Sequence, residues 1–157
     1  MFHGADEQKN ELIKGLVEET KERFGGPQGA LAAQFIGLYF DRVPPADIVE
    51  HGHNALYGSA LAHWNFAAQR QPGETKVRVY NPSLEEYGWK SDHTVVEIAN
   101  DDMPFLVDSV AAELGRCEIP VLLIIHPVIN VQRKDGAIVA LGGADTTPIE
   151  MTGESFL

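Results

Sequence analysis

Six histidines, one cysteine and a pair of adjacent aspartates hold most of the reactive chemistry in this 157-residue chain. Spacing decides what each can do. His51 and His53 are two residues apart. On a helix of about 3.6 residues per turn such neighbours diverge by roughly 200°, so the pair cannot share a metal ion. His63 lies nearly three turns further along the same expected helix, and His3, His93 and His126 have no spaced partners. Surface or boundary histidines are the expectation. The lone cysteine, Cys117, excludes a disulfide framework or a thiolate metal cage within one chain. It falls near an expected helix C-terminus, where the dipole disfavours a thiolate, and it continues an apolar stripe, so it is expected to pack. Gly58-Ser59-Ala60 lacks the second glycine of a nucleophile elbow. Gly25-Gly26-Pro27-Gln28-Gly29 follows a helix pattern, and Gly142-Gly143-Ala144-Asp145 follows a strand without opening a clear helix. Neither is a Walker loop or a dinucleotide fingerprint. The expectation is a segment with no catalytic residue, no metal and no cofactor of its own.

One constellation remains. Asn100, Asp101, Asp102 and Met103, followed by Pro104, stand between an expected strand and an expected helix. Free N–H groups at the helix start, with side-chain acceptors beside them, form a candidate site for a small polar ligand. The competing reading is that Asp101 and Asp102 cap the helix and complement its dipole. Their charge would favour an ammonium group over an anion.

The elements that must position these residues change character near Gly73. Before it the period is helical. Residues 5–24 place Leu12, Ile13, Leu16 and Val17 on one stripe, and residues 30–40 are apolar almost all round. A third helix is expected to run from Pro45 to about Arg70. After Gly73, Lys76-Val77-Arg78-Val79-Tyr80 alternates as a half-buried strand. A loop over residues 81–92 follows, in which 83–87 can form a helical turn. Residues 94–98 read as a β-branched strand. Residues 103–117 read as a helix whose stripe of Leu106, Val110, Leu114 and Cys117 should cover the sheet. Residues 121–125 read as a buried strand. Residues 128–132 and 137–141 form a hairpin across Asp135-Gly136. Strand, helix, strand, hairpin and strand make the first two-thirds of a βαββαβ unit. The Gly-rich loop and apolar Glu154-Ser155-Phe156-Leu157 read as the opening of a further element, and the chain as a piece of something longer. One side of strand 94–98 is then expected to lack its partner. Either Lys76–Tyr80 folds back onto it or a second copy pairs with it, and a dimer is expected.

Charge and composition exclude several function classes. Twelve Lys+Arg stand against 23 Asp+Glu, and a formal net charge of −11 repels phosphate backbones, which disfavours nucleic acid as a partner. The longest apolar run is too short to cross a bilayer, and no basic segment leads into an apolar one at the start. A soluble, cytoplasmic, acidic domain is expected.

Tyr80-Asn81-Pro82, Gly88-Trp89 and the unbroken run His93-Thr94-Val95-Val96-Glu97-Ile98-Ala99-Asn100-Asp101-Asp102-Met103-Pro104-Phe105-Leu106-Val107-Asp108-Ser109-Val110 resemble the N-terminal region of the large bacterial NAD-specific glutamate dehydrogenases. Tyr57-Gly58, His63-Trp64, Ile125-His126-Pro127-Val128 and Glu154-Ser155-Phe156 fit the same pattern. The resemblance implies an ACT-like region, of a kind that commonly pairs into shared sheets and senses amino acids. The parent enzyme would convert L-glutamate, NAD and water to 2-oxoglutarate, ammonia and NADH in a dehydrogenase domain far C-terminal to this stretch. The fold expected is α+β. About three helices over residues 1–73 precede an ACT/ferredoxin-like βαββ unit over 74–157, truncated at its C-terminus, with a mainly antiparallel sheet. The function implied is a non-catalytic regulatory or assembly domain. Its partners would be the remaining domains of the parent chain, further copies of itself and a small amino-acid effector; NAD would belong to the parent alone. The alternative is an autonomous amino-acid sensor with Asn100, Asp101, Asp102 and Met103 as its receptor loop. Phe105 stands where amino-acid-binding ACT modules often carry glycine, and its ring is expected to fill the ligand space.

Overall fold

A computed structural model describes residues 3–142 and 151–157; residues 143–145 of the second Gly-rich loop lie outside them. The fold is α+β, with helices leading and an antiparallel sheet following. Helix α1 spans His3–Arg23 and buries Leu16 and Thr20. Helix α2, Gly26–Tyr39, begins before the expected start because Pro27 sits in its first turn, where a missing N–H costs nothing. It buries Phe35, Ile36 and Tyr39. The single helix expected over residues 45–70 is two helices, α3 at Pro45–His51 and α4 at His53–Ala67. Gly52 divides them at φ 75, a conformation only glycine enters without strain.

The sheet is built from β1 (Lys76–Tyr80), β2 (Val95–Asp101), β3 (Val128–Lys134), β4 (Ala137–Gly142) and β5 (Thr152–Phe156), in the order β1-β2-β5-β3-β4. The short helix α5, Leu84–Tyr87, starts where Ser83 accepts a bond from the Glu86 N–H. Every neighbouring pair of strands is antiparallel. The β3–β4 turn uses positive φ at Asp135 and Gly136, as expected from that dipeptide. β2 and β3 therefore run parallel with one strand between them, linked through helix α6 (Leu106–Arg116) in a split βαβ arrangement. The intervening strand is β5, while β4 takes the outer edge. Of the two expected ways of covering strand 94–98, Lys76–Tyr80 folds back along one side of it as β1; on the other side β5 meets Ala99–Asp101 and Leu157 bonds Ile98.

One face of the sheet packs against α2 and α4. Ile129, Val131, Ile138 and Phe156 meet Phe35, Ile36, Ala60 and Trp64 in one apolar core. Phe156 sets its ring edge-on to Phe35, 5.3 Å between centroids. Two expectations fail here. Residues 121–125 form no strand, and Leu122 and Ile124 are exposed. Helix α6 buries none of its residues, so Leu106, Val110 and Leu114 are only half-covered, and Cys117 beyond its last turn is exposed rather than packed. The first follows from β5 lying beside β3 only from Val128 onward, which leaves 121–125 without a ladder.

Candidate functional site

Where α4 ends, the chain from Ala68 to Glu74 crosses the top of the sheet. The Arg70 N–H bonds to the Gly136 carbonyl at 2.9 Å, which fixes the loop against the β3–β4 turn. The Arg70 side chain, 2% exposed, runs beneath. Its guanidinium donates to the Glu74 carbonyl at 2.7 Å, to Asp101 Oδ1 at 2.7 Å and to Glu154 Oε1. Arg133 on β3 reaches Glu154 from the other side, Nε donating at 2.9 and 3.1 Å. Its terminal nitrogens donate to the carbonyls of Ala67, Ala68 and Gly136. Asp101 Oδ2 accepts from the Gly73 N–H at 3.1 Å. Two cations and two anions thus balance in a buried network bordering a cleft of about 430 Å³. Burial opposes the charge on Arg70, but its bonds to Asp101 and Glu154 outweigh that and hold the guanidinium above its usual range. Asp101, its side chain 52% exposed, carries the network to the cleft surface.

The four candidate ligand residues lie beside this network. Asn100 Oδ1 accepts from the Thr75 hydroxyl at 2.7 Å, and its amide donates to the Met103 sulfur at 3.5 Å. The Asp102 N–H bonds to the Gly153 carbonyl at 3.0 Å, and its carboxylate accepts from the Ser155 hydroxyl at 2.8 Å. Met103 is exposed. The capping reading fails. The N-cap of α6 is Phe105, no side chain caps it, and the aspartates serve the loop and β5 instead. Phe105 takes φ 64, the left-handed region suited to glycine, but its ring is 76% exposed and fills no pocket.

The histidines are dispersed. The His51 ring donates to the Asp47 carbonyl, and His53 pairs with Glu19 at 2.6 Å, both at the surface. His63 is fully buried: Nε2 donates to the Ile98 carbonyl at 3.2 Å, and Nδ1 accepts from the Tyr39 hydroxyl at 2.8 Å. Burial pushes its pKa down to about 4, so the ring is neutral. Beside it, Glu97 accepts from the Tyr80 hydroxyl at 2.7 Å and from Arg78 at 2.5 Å. Burial raises its carboxyl in spite of both partners. Burial also lowers His126, whose Nε2 has no hydrogen-bond partner among the described residues. Among the described residues no group of His, Cys, Asp or Glu gathers in a metal-holding arrangement.

A model of the family described as "Glutamate dehydrogenase, ACT1 domain" matches residues 35–157. The chain belongs to that family. It is similar to the NAD-specific glutamate dehydrogenase of Halomonas elongata, 40% identical over 136 residues, which are 86% of this chain and 8% of that protein. The protein of the same name from Pseudomonas aeruginosa is 35% identical over 107 residues, 68% of this chain and 6% of its own length. The chain therefore spans less than a tenth of each relative. No solved structure matches it.

The match to the ACT1 domain takes in α4 and the Arg70 loop as well as the sheet, so every member of the ionic network lies inside it. The first Gly-rich loop joins α1 to α2. A Cβ on Gly29 would stand 1.7 Å from the Phe24 carbonyl oxygen, so this glycine serves a tight helix-to-helix turn. Sequence reasoning passed over Arg70, Arg133 and the role of Glu154. An arginine just past a helix and another in an alternating strand look solvent-facing until the topology sets them around one carboxylate.

Proposed function

We propose that this chain acts as a non-catalytic regulatory or assembly domain at the N-terminal end of a large NAD-specific glutamate dehydrogenase. The ACT1 match over residues 35–157, in relatives more than ten times its length, carries the reading. The site chemistry supports it: arginines and carboxylates that bond one another hold the loop and the strands together. In this reading NAD binds elsewhere in the parent polypeptide, and the partners are the parent's other domains and further copies of the chain in the cytoplasm. An autonomous amino-acid sensor at Asn100–Met103 has less support, since Asp101 and Asp102 are engaged by Arg70, Gly73 and Ser155. The test compares glutamate-dependent NAD reduction by the 157-residue chain and by the parent polypeptide, with and without these residues. Expected are no turnover by the chain alone and altered assembly or effector response in the deleted parent. Turnover by the clean chain, or an unchanged deleted parent, overturns the proposal. Calorimetry with glutamate and aspartate addresses the sensor, which alone predicts saturable heat.

A further inference from the structure

The sheet has a gap one strand wide below the end of β5. β5 separates β2 from β3, yet its register reaches only Ala99–Asp101 on one side and residues 128–131 on the other. One further step is visible: Ile98 and Leu157 exchange both main-chain bonds, at 2.7 and 2.9 Å, and the Phe156 N–H reaches the Pro127 carbonyl at 3.2 Å. Beyond that step, residues 95–97 of β2 pair, among the described residues, with β1 alone. Antiparallel bonding alternates, so Val96, two residues from Ile98, also directs its N–H and C=O into the gap.

The facing wall is the apolar segment 121–127. Leu123 and Ile125 pack toward the core and Pro127 is buried, in phase with Ile129 and Val131 of β3; Leu122 and Ile124 point outward. This is strand geometry continued backward from β3. No main-chain hydrogen bond joins residues 121–126 to another described residue. The same alternation, counted from Pro127, turns the main-chain groups of Ile125 and Leu123 toward those of Val96. The two walls stand two strand spacings apart, roughly 10 Å.

We propose that this gap receives one further extended strand of the same polypeptide, antiparallel to β2 and in line with β5. The inference rests on the reading that the chain is part of a longer one. A strand continuing β5 needs no loop to enter, so it avoids a closure cost. A second copy would bring eleven more negative charges against the eleven already on the first. The strand's chemistry follows from its neighbours. Its inward side chains meet Ile125 and Glu97, its outward ones Val96 and Ile124, so β-branched apolar residues suit the outward face.

Amide exchange tests this on the 157-residue chain and on the same chain lengthened by the residues that follow it in its parent polypeptide. The amides of Val96, Leu123 and Ile125 should exchange freely in the first and slow by about 100-fold or more in the second, as expected for a strand joining a sheet core. Ile124→Asp, at an exposed position, should leave the shorter chain folded and weaken that protection in the longer one. Three results overturn the proposal: protection already present in the dilute shorter chain, none gained in the longer chain, or protection rising with concentration as the mass doubles. The assignment to a dehydrogenase fails separately: a parent without that activity that still protects these amides refutes the function and keeps the strand.

Discussion

At the scale of single residues, Glu154 organises the most. It is 1% exposed, and two arginines depend on it for charge balance. Glu154→Ala would leave Arg133 without a carboxylate and Arg70 with Asp101 alone, and a loss of about 3–5 kcal/mol is expected, measured by urea denaturation at pH 7. A loss below 1 kcal/mol would mean that the arginines reach water instead. His63 gives a pH signature. Folded, it titrates at about 4; unfolded, near its ordinary 6.5. The unfolded chain therefore binds more protons between those values, so stability is full above pH 6.5 and falls as pH drops toward 4. Between pH 7.5 and 5 the loss from this residue should be about 2 kcal/mol. Burial lowers His126 as well and adds to the loss, whereas the raised carboxyl of Glu97 works in the opposite direction. The informative quantity is the difference in pH dependence between the native chain and His63→Gln. Equal slopes would place the ring in solvent. Neither the buried cations nor the neutral histidine was legible in the sequence, because each depends on pairings across more than 30 residues.

At the scale of elements, period and turn chemistry located most of the structure. Lys76–Tyr80 is a strand with the bounds its alternation implied, and Asp135-Gly136 made the hairpin. Residues 121–125 and α6 departed because apolar pattern reports what a segment can bury, not whether a neighbour is there to bury it. Stability should follow the neighbours. Ile129→Ala, beneath α2 and α4, is expected to cost about 2–5 kcal/mol, whereas Leu106→Ala on half-covered α6 should cost about 1 kcal/mol. Denaturation midpoints of the two variants check this. Equal losses would mean that α6 is packed against the sheet after all. Asn100–Met103 was recognisable as a polar junction before a helix, but its partners were not, since Gly153 and Ser155 reach it only through β5.

At the scale of the whole molecule, helices and sheet share one core, with Phe35 and Trp64 from the helical part against Val131 and Phe156 from the sheet. A single cooperative transition is therefore expected. Far-ultraviolet circular dichroism should coincide with the fluorescence of Trp64 in α4 and of Trp89, which packs against Gly58. Two separated transitions would divide the chain near Gly73 into independent units. The strand order also has a consequence for the route into this state. β1 with β2, and β3 with β4, can each pair early from nearby sequence. They become one sheet only when β5 arrives, and its Glu154 must find an arginine 84 residues away. Non-local closure of this kind makes folding slow. Until it happens both half-sheets wait with bare inner edges, so the interval in which the chain is open to aggregation lasts as long as the search by that one strand.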